Sequence, residues 1–140
     1  MTIYQPRAMA SWACLLACLW VWPFSGGKRE TLTVSRTIPG ASAYANVGHD
    51  KNGNTTVDLH VKFLPNPSSL TPAETNYVVW VQPRGHAPQN KGKLRVNSSH
   101  SGSIVLRSAF RDFNVFITAE ASVQVTRPSG QQLVYGRITR

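Results

Sequence analysis

The chain has 140 residues, 41% of them apolar and 15% charged, with 9 Pro and 10 Gly. This is enough for one globular domain and excludes a large multidomain enzyme. The 15 Lys and Arg exceed the 6 Asp and Glu for a formal charge of +9, which favours association with anionic surfaces and is silent on fold.

Residues 1–7 are polar with Arg7 as their only charge, and Ala8 to Phe24 is an uncharged run of 17 residues ending in Pro23-Phe24-Ser25-Gly26-Gly27. That order of polar start, apolar run and small-residue exit predicts a signal peptide or signal anchor over residues 1–27. Within it, Leu15-Leu16-Ala17-Cys18 resembles the lipobox of bacterial lipoproteins, which makes Cys18 the candidate lipidation site. The apolar Leu19-Trp20-Val21-Trp22 that follows is unlike the polar tether such proteins usually carry. Both cysteines, Cys14 and Cys18, and both methionines, Met1 and Met9, precede Lys28. The rest of the chain therefore has no sulfur, which removes a thiol nucleophile, a disulfide framework, an iron–sulfur site and a blue-copper site. It also keeps 14 Lys and Arg against 6 Asp and Glu, or +8. No run of five like charges occurs, so there is no polybasic arm.

Residues 28–40 read as a linker with one short β-prone stretch, Leu32-Thr33-Val34, closed by Pro39-Gly40, and residues 41–140 read as the folded domain. Asp50-Lys51-Asn52-Gly53-Asn54 separates two β-prone segments, and Asn-Gly is a strong hairpin signal because both residues accept positive φ. The second segment alternates, with Thr56, Asp58, His60 and Lys62 on one face and Val57, Leu59, Val61 and Phe63 on the other. Tyr77-Val78-Val79-Trp80-Val81 is apolar on both faces and predicts a central strand covered on two sides. Pro83–Gly92 reads as a ten-residue loop, followed by strands over Lys93–Val96, Ser103–Arg107, Phe113–Ala119 and Leu133–Thr139. The expected core contains Val57, Leu59, Val61, Val79, Trp80, Ile104, Leu106, Phe113, Val115 and Ile117. About seven short strands with regular turn signals and no helical period predict an all-β protein, an immunoglobulin-like antiparallel β-sandwich.

Tyr77–Val81, Gly92, Phe113–Glu120, and Pro128-Ser129-Gly130 followed by Leu133 and Gly136 together resemble the extracytoplasmic C-terminal domain of anti-sigma-K factors. They also resemble small exported bacterial proteins carrying that domain alone. The resemblance spans roughly residues 41–140, and it implies an extracytoplasmic β-sandwich in the periplasm or cell envelope of a bacterium. In anti-sigma factors a separate cytoplasmic helical domain binds sigma; only seven residues precede the apolar run here, so sigma binding is not carried over.

The chemistry-bearing residues are sparse. His60 and Asp58 share the outward face of one strand, and with a loop histidine, His86 or His100, they are the candidates for a metal site or a small hydrolase. Three or four ligands are needed for zinc and only two share this face. Asp50–Asn54 has its Gly at the fourth position and Val61 at the twelfth, which is a hairpin and not a calcium loop. No Gly-x-Ser-x-Gly or phosphate-binding glycine loop occurs, and Glu120 is expected to point to water from the end of its strand. Nucleic acid is not an expected partner, since stacking aromatics among cations are limited to Phe110 between Arg107 and Arg111. The expectation is a non-catalytic binding or structural module without cofactor or metal, associated with an anionic envelope surface or another envelope protein. The alternative is a sensor-like domain related to anti-sigma regulation. The two loops expected to meet a partner are Leu64–Asn76 and Pro83–Gly92, the latter through Arg84, His86, Gln89, Asn90 and Lys91.

Overall fold

The computed structural model describes residues 27–140. Apart from Gly27, the expected signal segment, with Cys14 and Cys18, lies outside the described residues. Eight strands form one antiparallel sheet: β1 (Lys28–Val34), β2 (Ser42–His49), β3 (Thr55–Lys62), β4 (Asn76–Pro83), β5 (Gln89–Leu94), β6 (Gly102–Ser108), β7 (Asp112–Glu120) and β8 (Gln132–Thr139). Their order is β5-β4-β7-β8-β1-β2-β3-β6. The sheet wraps into a near-barrel whose two edge strands, β5 and β6, approach each other without forming a ladder.

The strand count exceeds the expected seven because β1 lies within residues 28–40, the stretch that reads as a linker. Its charged start, Lys28-Arg29-Glu30, hides a strand that is half exposed, yet Leu32 is buried in the core. Residues Lys28–Leu32 pair with β2, whereas Thr33 and Val34 pair with Tyr135 and Val134 of β8. One strand thus joins two halves of the sheet.

The alternation of β3 holds through Lys62: Val57, Leu59 and Val61 are buried and Asp58 and His60 are half exposed. The β2–β3 turn is built by Asp50, whose Oδ1 accepts the amides of Asn52 (2.9 Å) and Asn54 (3.0 Å), while Gly53 takes φ +81°. The Asn54 side chain donates to Oδ2 at 3.0 Å and is the main cause holding this carboxyl below its ordinary pKa.

The central strand is β4, as its two-sided apolar pattern requires. Tyr77, Val79 and Val81 enter the main core with Leu59, Phe113, Val115, Ile117 and Ile138. Trp80 is fully buried but on the opposite face, in a smaller cluster with Val78 and Phe116 that is covered by Val125. Ile104, expected inside, is only partly buried at the core's margin.

All neighbours are antiparallel, so the connections gather at two poles. The N-terminal pole, where the chain enters β1, carries the turns after β2, β4 and β6 and the end of β8. The far pole carries residues 35–41, 63–75, 95–101 and 121–131. Truncating Phe113 or Trp80 to Ala should lower unfolding free energy by about 3–5 kcal/mol in urea titrations. A loss below about 1 kcal/mol for both would mean that neither ring supports a core.

Candidate functional site

At the far pole, the β1–β2 and β3–β4 connections enclose an open groove of about 570 Å³. Ile38, 5% exposed, and half-buried Leu70 supply apolar surface. Pro39 and Pro65 add rigid walls, and Thr37, Ser69, Thr71 and Gln131 contribute hydroxyl and amide groups. No charged side chain lines it. Its rim holds Phe63, which contradicts the β3 alternation: Phe63 is 66% exposed at φ +56°, and Leu64 goes inside instead, at 0% exposure. A left-handed backbone at a bulky L-residue costs roughly 1–2 kcal/mol, and the exposed ring forgoes burial as well. The surroundings enforce the conformation, since the Leu64 amide donates to the carbonyl of His100 (2.9 Å) in the next connection along this pole. Behind it, the hydroxyl of buried Tyr77 donates to the Pro65 carbonyl (2.6 Å), fixing the groove wall. Burial pushes the Tyr77 pKa up to about 12.

The second built feature is a polar clasp under the β7–β8 connection. Glu120, expected to point to water, is 1% exposed. Its Oε1 accepts from the Thr118 hydroxyl (2.6 Å) and from the amides of Ser129 (3.0 Å) and Gly130 (3.1 Å), and Oε2 accepts from the Ser129 hydroxyl (2.6 Å). Thr118 in turn accepts from Trp80 Nε1 at 2.8 Å. Burial pushes the Glu120 carboxyl up, but the hydrogen bonds from Ser129, Thr118 and Gly130 outweigh it and hold the pKa below the ordinary value. Gly130 has no substitute, because a Cβ there would overlap the Ala119 carbonyl oxygen. The carboxylate is saturated by structural donors, so it holds the strap in place and is not free for acid–base chemistry.

The structure divides the residues expected to meet a partner in Pro83–Gly92. The true turn is Arg84–Pro88, because β5 begins at Gln89. Arg84, His86 and Gln89 are exposed at the N-terminal pole, with His86 tilted against Phe110 at 5.0 Å between ring centroids. Asn90 instead ties the strap down: Nδ2 donates to the carbonyls of Val123 (2.9 Å) and Val125 (2.7 Å), and Oδ1 accepts the Gly92 amide (2.8 Å). Lys91 is half buried beside the bulge at which Gly92 takes φ +109°. The other expected loop, Leu64–Asn76, supplies much of the groove.

His60 Nε2 lies 2.9 Å from Asp58 Oδ2, and its ring stacks on Tyr44 at 4.9 Å while Arg29 covers Tyr44 at 3.8 Å. The fold does not bring a loop histidine to this pair. His49 and His86 sit at one pole and His100 at the other, and among the described residues no three His, Cys, Asp or Glu side chains converge.

Comparison of the chain with protein-family models, curated proteins and solved structures gives no match.

The clasp has a titration signature. A carboxyl with a lowered folded-state pKa stabilises the fold above its unfolded value, 4.5, and loses that contribution as pH falls through the folded value. Tyr77, raised from 10.0 to about 12, contributes below pH 10 and loses its contribution as pH rises toward 12. Urea midpoints should therefore decline below about pH 4.5 and above about pH 10. Glu120→Ala, which strands buried donors, should cost on the order of 3 kcal/mol at pH 7 and flatten the acid limb, and Tyr77→Phe should flatten the alkaline one. An unchanged acid limb in Glu120→Ala would exclude the clasp as its source.

Proposed function

We propose that this protein is an exported bacterial β-sandwich that acts by binding and not by catalysis, held in the cell envelope through its N-terminal segment. The uncharged 17-residue run behind Arg7 supports export. The topology supports an immunoglobulin-like arrangement: without β1, the order separates into β2-β3-β6 and β5-β4-β7-β8, a three-plus-four division of seven strands. The resemblance to anti-sigma-K C-terminal domains also gains a physical rationale. Trp80, Phe116, Glu120 and Pro128-Ser129-Gly130, which carry that resemblance, belong to one clasp with its covering strap. These are architectural residues, so they bear on fold and leave specificity to the poles.

The observation that carries the binding reading is Phe63. A residue whose sequence pattern directs it inward is held outward at positive φ, at the rim of an uncharged groove, by neighbours that fix both its backbone and the wall. Strain maintained at one exposed aromatic has a use if the ring meets a ligand. An exposed ring, proline walls, hydroxyls and no charge suit an uncharged chain with apolar faces and hydroxyl edges, so the ligand class is a neutral glycan.

Two experiments test this reading. N-terminal sequencing of protein recovered from an envelope fraction should show processing or membrane retention of residues 1–24, and recovery from the cytosol with that segment intact would refute export. Co-sedimentation with an insoluble uncharged polysaccharide should fall at least tenfold for Phe63→Gly and persist for Phe63→Tyr. The glycine variant should be equally stable or up to about 1 kcal/mol more stable, because glycine adopts positive φ at little cost. Equal binding by both variants would remove Phe63 from the site.

A further inference from the structure

The N-terminal pole is where the apolar run joins the domain, and it is also where cations collect around an exposed ring. Lys51 lies in the β2–β3 turn, Arg84 in the β4–β5 turn, Arg107 at the end of β6 and Arg111 in the β6–β7 turn, all exposed. Phe110, 38% exposed and with His86 against it, lies in the β6–β7 turn beside Arg111. These turns adjoin one another: Thr55 donates to the Phe110 carbonyl (2.8 Å), and the Arg140 amide donates to the Arg111 carbonyl (3.0 Å). None of the four cations has a carboxylate within ion-pair distance among the described residues. The acids at this pole hold their short contacts with other groups, Glu30 with Lys28, Asp112 with Arg137 and Asp50 within its own turn, while Arg107 and Arg84 reach Asp50 and Asp112 only through longer-range attraction that helps to lower those carboxyl pKa values.

We propose that this pole is a docking face for anionic lipid headgroups. The length of chain between the pole and the apolar run supports that occupant. Lys28 opens β1 four residues after Phe24, and four extended residues reach at most about 14 Å. The headgroup layer on one side of a bilayer is roughly 5–8 Å thick, and the Debye length at physiological salt is about 8 Å. A run seated in the bilayer therefore keeps the pole within electrostatic range of the headgroups. The cations face the lipid there, Phe110 adds an apolar ring that can enter the headgroup–acyl boundary, and the Phe63 groove lies at the opposite end of β1, away from the membrane. The proposal rests on the export reading, and retention of the apolar run as an anchor adds the tether that holds the pole near the headgroups.

The test uses the full chain and sedimentation with two kinds of vesicle, phosphatidylcholine alone and phosphatidylcholine with about one-third phosphatidylglycerol. Binding to the neutral vesicles reports the apolar run, and the added binding on the anionic ones reports the pole. A K51Q/R84Q/R111Q variant should lose at least tenfold of the anionic gain, since each cation near a charged surface contributes roughly a fivefold factor. Its binding to neutral vesicles and its thermal midpoint should match the parent. K62Q/R95Q/R127Q, which removes the same charge from the far pole, should keep the gain. The gain should also fall as salt rises past about 0.15 M. Absence of an anionic gain in the parent, or equal loss in both triple variants, would overturn the proposal. Absence of neutral-vesicle binding with the gain intact would instead overturn the anchor reading and leave the docking face standing.

Discussion

The arrangement depends on covering both faces of β4. A strand reading Tyr77-Val78-Val79-Trp80-Val81 cannot leave either face in water, and the wrapped sheet buries only one. The other is covered by residues 121–131, and a connection of that length packs well only if its polar backbone is satisfied. Glu120 satisfies it from below by accepting the Ser129 and Gly130 amides, and Asn90 does so from the side by donating to the Val123 and Val125 carbonyls. The Trp80–Thr118–Glu120 relay then couples the buried indole to the same clasp, so packing and hydrogen bonding on this face succeed or fail together.

The second organising element is β1. By pairing first with β2 and then with β8, it converts two sheet halves that could slide over each other into one continuous ladder. The open edges that remain, β5 and β6, close against each other, and β5 carries Lys91 and Lys93, charges of the kind that discourage edge-to-edge association. β1 also sets the polarity of the molecule. It takes the chain from the basic pole to the pole of the Phe63 groove, a span of about 20 Å for seven residues. An envelope protein held at one end would present the other outward.

The fold class was legible because period-two alternation and turn chemistry are local. The inward set of β3, the two-faced burial of β4 and the Asp50–Asn54 hairpin each depend on residues within about ten positions of one another. The errors occur where local pattern gives way to distant contacts. β1 looks like a linker because its charged start, Lys28-Arg29-Glu30, masks the pairing with β2, and the partner of its short β-prone end, β8, lies about a hundred positions away. Phe63 carried a readable warning: Phe63-Leu64-Pro65 places two large apolar residues side by side, so both cannot face the core. Which one turns outward is decided by the His100 carbonyl that takes the Leu64 amide.

By itself the sequence determined an all-β domain with a basic body free of sulfur behind an apolar N-terminal run, since composition and short-range alternation require no knowledge of what lies across the core. Only the tertiary structure decided that Glu120 is a buried anchor, that Asn90 ties down residues 121–131, and that Phe63 is the exposed ring. Only the tertiary structure also decided that Lys51, Arg84, Arg107 and Arg111, separated along the chain, share a pole. The first three of these assignments depend on a hydrogen-bond partner between 9 and 36 positions away, Glu120 from Ser129, Leu64 from His100, and Asn90 from Val123 and Val125. Over such separations it is the sheet order, and no local period, that determines which residues meet.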